Sequence, residues 1–188
     1  MKDLDFSDPN VMKLDQLLER IKTADDLTSN RRSEICSAIN VMSKWFNRPL
    51  NQILAHPAYL RMLFKSITPA TVRVGKKRLA NVRSALMFAM RYANTLDEYT
   101  YLAPITPAWQ KLWEQLPSKY DKRSLSRFFR YVSAQNIKPE QVDEKISNNF
   151  HEALINGSLV KNPDTVHQNA CRTWNRLTTE VQEWPAKT

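Results

Sequence analysis

Glycine is nearly absent from this chain of 188 residues, which contains only Gly75 and Gly157. A glycine-rich phosphate loop or a dinucleotide fingerprint needs several closely spaced glycines, so the sequence excludes both motifs. Tight hairpin turns also depend on glycine, although asparagine and aspartate can replace it. Because helices need far less glycine, the composition favours an all-α fold.

Cysteine and long apolar runs are scarce as well. Cys36 and Cys171 stand apart, without the Cys/His spacing of zinc sites, so we expect two reduced thiols and no metal. No stretch approaches the ~18 apolar residues of a membrane span, and no signal peptide is recognisable. These absences predict a soluble, cytoplasmic protein with no cofactor, no membrane partner and no small-molecule substrate.

Acidic residues are almost missing from one segment. Between Arg31 and Thr95 there are twelve basic residues and a single acidic one, Glu34, which gives this segment a charge of +11. The first thirty residues sum to −3 and residues 96–188 to +1, so this segment accounts for the net charge of +9. Positive charge concentrated in a folding segment, rather than in a tail, favours binding to a polyanion such as nucleic acid.

Apolar residues recur at helical spacing along most of the chain, and Pro104 and Pro107 interrupt the pattern. The first helix is expected to start at the N-cap signal of Asp8 and Pro9 and to run to Lys22. We predict two small helical bundles in tandem. They comprise a DNA-binding lobe over residues 1–95, a linker over 96–106 and a second lobe over 107–188.

The two predicted lobes show a weak internal echo at an offset of about ninety residues. In each lobe a helix, a turn begun by a proline, a middle helix and a long final helix follow one another. The matched pairs are Ile35/Leu125, Ile39/Phe129, Met42/Val132, Pro49/Pro139, Leu60/Phe150, Phe64/Leu154 and Ala80/Ala170. Helical periodicity alone produces such matches easily, so duplication and coincidence both remain open.

The strongest candidate surface lies on the long helix predicted over about residues 74–93. Leu79 and Leu86 belong to its inner face, and on a helical wheel basic residues border an outer strip of small ones. The small residues are Ala80, Asn81 and Ser84. Such a strip lets the helix approach a DNA groove while the cations reach phosphates; the alternative is an ordinary solvated face. The predicted phosphate contacts are Arg73, Lys76, Lys77, Arg78, Arg83 and Arg91.

Two helices of the second lobe carry further candidates. Arg123, Arg127 and Arg130 share the outer face of the helix predicted over 118–135, where a plain solvated face is an equal alternative. The last helix presents arginine, asparagine and glutamine, the side chains able to make bidentate contacts with guanine or adenine edges. The predicted DNA contacts of this lobe are Arg123, Arg127, Gln168, Arg172, Asn175 and Arg176.

No catalytic site is predicted. The histidines, His56, His151 and His167, have no acid–nucleophile set near them in the sequence and no second ligand at metal spacing. Four of the five tryptophans fall on apolar helical faces, so core packing is favoured over the stacking of bases. Trp184 is the exception and is expected to close the second lobe.

Two regions of the sequence resemble a known family. The run KRLANVRSAL at 77–86 resembles the final helix of the core-binding domain in tyrosine recombinases (phage integrases), which commonly has an Arg-Leu-small-x-apolar-Arg pattern there. The strings LSRF at 125–128, VHQNACR at 166–172 and WNR at 174–176 resemble a subgroup of bacterial site-specific integrases. The resemblance covers about residues 28–185.

This resemblance implies a SAM-like helical region that forms half of a clamp around duplex DNA, with other recombinase protomers as partners on the DNA. In that family a separate C-terminal domain carries the tyrosine nucleophile, two arginines, a lysine and a His-x-x-Arg element. The residues three positions after the histidines here are Tyr59, Leu154 and Ala170, so that element is missing. The resemblance therefore implies a catalytic domain beginning where this chain stops, and a chain that does not cleave DNA alone.

Three functional hypotheses are consistent with these patterns. The leading one is sequence-specific duplex DNA binding by the N-terminal region of a site-specific recombinase. The second is a stand-alone DNA-binding regulator or accessory factor. The third is a helical protein-interaction module whose basic face binds an acidic partner. Sharply salt-dependent duplex binding would separate the first two from the third.

Overall fold

The computed structural model describes residues 11–96, 103–182, 184 and 185. Every regular element in these ranges is helical, apart from one isolated β-bridge between Lys13 and Leu54. The α-helices are α1 (Leu14–Lys22), α2 (Ser29–Phe46), α3 (Pro57–Lys65), α4 (Lys76–Tyr92), α5 (Pro107–Gln115), α6 (Lys119–Ala134), α7 (Glu144–Gly157) and α8 (Pro163–Glu180). Short 3₁₀ turns lie at Leu50–Gln52 and Pro139–Gln141. The predicted all-α class is confirmed.

The described residues divide into two compact units. Unit 1 contains the chain up to residue 96 together with 156–161, and unit 2 contains 103–155 and the residues from 162 onward. The sequence assigns 156–161 to the second lobe, whereas the structure groups this segment with unit 1. Residues 97–102 of the predicted linker lie outside the described residues.

Unit 1 is built around α2, which packs against α1 and α4. The inner faces of these helices carry aliphatic side chains at helical spacing, among them Leu17, Ile39 and Leu86, which are fully buried. Burial of this apolar surface is the main force that holds the three helices together. The core of unit 1 is therefore predominantly aliphatic.

α1 begins later than the sequence predicts. The backbone before Leu14 is extended, because the Ala55 N–H donates to the Met12 carbonyl over 2.8 Å and the Leu14 N–H donates to the Ile53 carbonyl over 2.9 Å. These bonds give the backbone groups partners outside a helix. The predicted N-cap pair at residues 8 and 9 lies outside the described residues.

The long helix of unit 1 also starts later than predicted. α4 has Gly75 as its N-cap, and Arg73 adopts the left-handed backbone conformation, with φ 51°, in the preceding turn. The Arg73 N–H donates to the Ala70 carbonyl over 3.2 Å, which closes this turn. The placement of Arg73 on the helical wheel is therefore wrong, because the turn sets the direction of its side chain.

Unit 2 is built around α6, which packs against α8 and α5. Its core is aromatic: the Trp109 ring centre lies 4.7 Å from that of Phe129 and 6.0 Å from that of Trp174. Trp174 in turn lies 5.6 Å from Phe128 and 5.3 Å from Trp184. Trp109 and Trp174 are buried, which confirms the core packing predicted for them, and Trp184, the exception in the sequence, is buried among the same rings.

The order of elements repeats between the two units. In each, a helix of nine residues precedes a long helix, a 3₁₀ turn, a middle helix and a long final helix. Five matched pairs are buried in both units: Ile35/Leu125, Ile39/Phe129, Met42/Val132, Leu60/Phe150 and Phe64/Leu154. In the pair Pro49/Pro139, Pro49 is exposed and Pro139 is buried. The pair Ala80/Ala170 fails, because Ala80 is exposed and Ala170 is buried. A shift of one residue instead matches the buried Leu79 with Ala170.

Candidate nucleic-acid interface

Three basic residues, Lys76, Lys77 and Arg78, form the first turn of α4, and all three are exposed. A helix N-terminus carries partial positive charge and free backbone N–H groups, so cations there are unfavourable. Gly75, the N-cap, has no side chain to accept from these groups, and a Cβ placed on it would meet nothing within 4 Å. This end of α4 is open, electropositive and suited to an anion.

The strip of small residues on α4 is exposed, as the helical spacing predicts. Ala80, Asn81 and Ser84 face solvent, and no residue of α4 is acidic. A groove of about 270 Å³ runs beside this strip, between α2 and α4. It is lined by Arg31, Glu34, Ala38, Arg78, Asn81, Ser84 and Ala85. Its one acidic residue, Glu34, pairs with Arg31 over 3.2 Å, so basic side chains dominate the border of the strip.

The other cations predicted in this region lie apart from the first turn of α4. Arg73 is exposed in the turn before the helix. Arg83 is half-buried, with its guanidinium carbon 4.7 Å from the centre of the Phe64 ring. Arg91 is half-buried near the end of α4. Lys76–Arg78 and the exposed small-residue strip share α4, and together we call them the α4 face; Arg83 and Arg91 lie farther along the helix and are half-buried.

In unit 2 the outer side of α6 borders a groove of about 910 Å³, which we call the α6 groove. It is lined by Trp113, Tyr120, Lys122, Arg123, Ser124, Ser126, Arg127, Arg130, Val166 and Asn169, none of them acidic. Arg123 is exposed and Arg127 is half-buried. Arg130 donates to the Ala103 carbonyl over 2.7 Å and so ties the chain before α5 to α6. The groove thus presents basic side chains beside an aromatic wall.

α8 keeps only part of the predicted base-reading strip. Gln168 and Arg172 are exposed, whereas Asn175 is half-buried. The guanidinium of Arg176, a predicted DNA contact, pairs with Glu180 and with Asp121, whose side chain is only 2% exposed. A carboxylate buried without a cation would be costly, so Arg176 serves the fold by holding α8 to α6.

α7 and α8 carry a polar cluster that sequence reasoning missed. Ser147 Oγ lies 2.9 Å from His167 Nε2 and 3.3 Å from Cys171 Sγ, and the latter two atoms are 3.4 Å apart. His151 Nε2 lies 2.8 Å from Asp164 Oδ1, and the His151 ring stacks on His167 with 4.6 Å between centres. The sequence showed no acid–nucleophile set near any histidine; the structure brings an acid to His151 and two possible nucleophiles to the other ring, His167.

This polar cluster is suited to holding α7 against α8 rather than to catalysis. The Asp164 carboxylate contacts His151, not the ring that meets Ser147 and Cys171, so the arrangement is not a triad. The adjoining cavity has about 10 Å³, room for a water molecule at most. Burial, and then the charge of His151, lowers the pKa of His167. A signal existed in the i, i+4 spacing of Ser147/His151 and His167/Cys171 on adjacent helices.

No protein-family model, no curated protein and no solved structure matches this chain. The likeness to tyrosine recombinases therefore depends on the sequence strings alone. Within the described ranges, no helix combines the length and the apolar composition needed to cross a bilayer. In the same ranges, no three histidine, cysteine or carboxylate side chains are arranged to hold a metal ion. The functional argument accordingly starts from the two basic surfaces.

Proposed function

We propose that this chain binds double-stranded DNA through the α4 face and the α6 groove, as the DNA-binding region of a tyrosine site-specific recombinase. The observation that carries the proposal is the exposed first turn of α4. There Lys76, Lys77 and Arg78 surround a helix N-terminus, and the helix has no acidic residue to compensate them. An anion bound at this end would relieve a placement that otherwise weakens the helix.

Duplex DNA suits these surfaces better than an acidic protein does. Phosphates repeat along a duplex, so two basic surfaces of one chain can each engage the backbone. Ala80, Asn81 and Ser84 allow the main chain of α4 to come close to a groove. Protein interfaces are usually centred on buried aromatic, arginine or aliphatic anchors in well-packed pockets, and the small residues of the α4 face offer no such anchor. On α8, Gln168 and Arg172 remain the candidates for base contacts.

The more specific part of the proposal is that the chain belongs to a recombinase. It depends on the resemblance of residues 77–86, and of the three strings in the second half, to tyrosine recombinases. In that family the catalytic groups belong to a separate domain, so we expect duplex binding without cleavage. A stand-alone regulator would bind DNA with the same salt dependence. Reading the gene beyond residue 188 for the arginine, His-x-x-Arg and tyrosine series separates these two forms of the proposal.

Salt titration tests duplex binding directly. Anisotropy of a fluorescent duplex, measured between about 50 and 200 mM salt, gives the slope of log K against log salt. Contact with about 5–8 phosphates predicts a slope of about −4 to −7. A flat response, or no binding in dilute buffer, would overturn the proposal and favour the acidic-partner hypothesis.

A pair of charge reversals locates the surface. Lys77→Glu lies on the α4 face, whereas Lys111→Glu changes an exposed residue of α5 outside both basic surfaces. The two variants alter the net charge equally, so only a local contact distinguishes them. We expect Lys77→Glu to weaken binding and to make the slope less steep by about 1, with Lys111→Glu close to the parent. Equal effects would argue against the α4 face, and circular dichroism verifies that both variants fold.

A further inference from the structure

Unit 1 contains a second basic feature, a pocket of about 310 Å³ that is separate from the α4 face. It is formed by α3, the loop after α3, α4 and the segment 156–161. Its lining residues are Arg61, Phe64, Lys65, Ile67, Thr68, Pro69, Leu79, Arg83, Leu159 and Lys161. None of the three cations of the first turn of α4 belongs to it. The pocket therefore needs an explanation of its own.

The lining of the pocket divides into two chemical halves. One half contains four cations, Arg61, Lys65, Arg83 and Lys161, together with the Thr68 hydroxyl, and no lining residue is acidic. The other half is apolar. It consists of Phe64, Ile67, Pro69, Leu79 and Leu159. A ligand that fits both halves must carry negative charge at one end and an apolar or ring-shaped group at the other.

Arg83 is held in the pocket without a complete set of partners. Its guanidinium lies over the Phe64 ring, and its Nε is buried with no hydrogen-bond partner. Burial lowers the pKa of Arg83, because partial removal from water disfavours the charged guanidinium. A buried charge of this kind is costly unless a counter-charge meets it. The residue therefore favours an anion in the pocket.

The far wall of the pocket is fixed in place by Arg61. Its Nε donates to the Val160 carbonyl over 2.9 Å, and its Nη2 donates to the Ser158 carbonyl over 2.9 Å. Between these two carbonyls, Leu159 packs against the core of unit 1. The segment that supplies Leu159 and Lys161 is thus anchored at two points, so the walls are formed before a ligand arrives.

We propose that this pocket binds a nucleoside monophosphate unit, with the phosphate on the cations and the nucleoside on the apolar wall. The volume lies at the lower end of the range for small-molecule sites, about 300–1,000 Å³, and leaves room for more than an inorganic anion. Arg83 and its neighbours supply charge-assisted hydrogen bonds to phosphate oxygens. The same unit occurs in a free mononucleotide and at the 5′-phosphorylated end of a DNA strand. This proposal differs from the expectation, drawn from the sequence, that the protein has no small-molecule substrate.

Calorimetric titration of the full chain with thymidine 5′-monophosphate tests the site, with thymidine and inorganic phosphate as partial ligands. We expect the monophosphate to bind about tenfold or more tighter than either fragment, because only it uses both halves of the pocket. A 5′-phosphorylated oligonucleotide that binds tighter than its 5′-hydroxyl form identifies a DNA end as the source. Binding of the mononucleotide but not of the oligonucleotide identifies a free nucleotide. No binding of either, or equal binding of inorganic phosphate, overturns the proposal.

Two pocket variants and one control complete the test. Arg83→Met removes the half-buried cation, and Lys161→Met removes an exposed one, whose loss we expect to leave folding intact. We expect each to weaken the monophosphate about tenfold, while Lys111→Met stays at the parent value. Unchanged binding in Lys161→Met and in folded Arg83→Met overturns the site. Lys77→Glu should lose duplex affinity yet keep monophosphate binding, so failure of the duplex proposal and failure of this one are distinguishable.

Discussion

The final helices of the two units, α4 and α8, occupy the same place in the order of elements but hold their charges differently. α4 exposes three cations in its first turn and contains no acidic residue. α8 begins with Asp164 in its first turn, and its Arg176 is paired with Asp121 and Glu180. The position of acidic residues, more than the number of basic ones, therefore decides which basic side chains are available to bind an anionic ligand.

The cores differ in the same systematic way. Unit 1 packs mostly aliphatic side chains, whereas unit 2 packs a chain of aromatic rings from Trp109 through Trp174 to Trp184. Aromatic residues bury more surface each and prefer edge-to-face contacts, so fewer residues make the core of unit 2. The two units therefore have a similar order of helices but cores of different side-chain composition.

The largest expected change in stability comes from a substitution in the aromatic core of unit 2. Trp174→Ala removes a fully buried ring that contacts Phe128 and Trp184, and we expect it to lower the free energy of unfolding by about 3–5 kcal/mol. Urea denaturation followed by circular dichroism measures the change. The control is Trp113→Ala, a half-buried ring of the same unit, which should cost clearly less. Equal costs would mean that the ring cluster is not the centre of unit 2.

The ion pair of α8 gives the next largest effect. Arg176→Met leaves the buried Asp121 carboxylate without its cation; since Arg176 is 41% exposed, we expect a loss of about 2 kcal/mol, below the value for a fully buried pair. Arg172→Met, one turn away and exposed, should stay within about 0.5 kcal/mol of the parent. If the two variants unfold at the same urea concentration, Arg176 is not a structural residue and returns to the set of candidate DNA contacts.

The open end of α4 allows stability and DNA binding to be separated. Gly75→Ser supplies an N-cap acceptor and should add a few tenths of a kcal/mol, about 0.3. Gly75→Asp adds a negative charge at the helix N-terminus and should add about 0.5–1 kcal/mol. Only the aspartate variant should weaken duplex binding, because its carboxylate competes with phosphate for the three cations. A Gly75→Asp variant that is stabilised and binds DNA as the parent does would contradict the role of the α4 face.

The polar cluster of unit 2 predicts a small pH effect. The pKa of His167 lies below its ordinary value of 6.5, chiefly because of burial, so the unfolded chain takes up a proton at a higher pH than the folded chain. The contribution of neutral His167 to the free energy of unfolding is therefore fully present above pH 6.5. It is lost as the pH falls from 6.5 toward the lower pKa of the folded state. In His167→Gln the melting temperature should change less between about pH 7.5 and 5 than it does in the parent. In His151→Gln this pH dependence should be reduced only in part. A melting temperature with the same pH dependence in His167→Gln would assign the effect to other groups.

Local patterns predicted much of the fold. The apolar spacing of residues such as Leu86 and Phe129 indicated which helical faces are buried, because burial follows the period of the helix. The start of α4 was missed, since nothing in the sequence indicates that Arg73, which is not a glycine, adopts a positive φ. The late start of α1 was missed because its cause is a contact with residues 53–55.

The candidate sites were less predictable, because they depend on residues far apart in the chain. A helical wheel places Lys77 and Arg78 correctly on an exposed face, since only the helix itself is involved. It cannot show that Arg176 meets Asp121 or that Arg83 meets Phe64, because these partners belong to other helices. The basic pocket between α3 and α4 was missed for the same reason, because its lining residues come from separate parts of the chain.

The segment 156–161 has a consequence for anyone who divides this chain. It follows most of unit 2 in the sequence, yet Leu159 covers the core of unit 1 and Arg61 binds the carbonyls on either side of it. A fragment cut near residue 96 would therefore expose an apolar patch and lose a wall of the pocket. Each unit is formed by two separate segments of the chain. Deletion variants and domain swaps should therefore keep both units in one polypeptide.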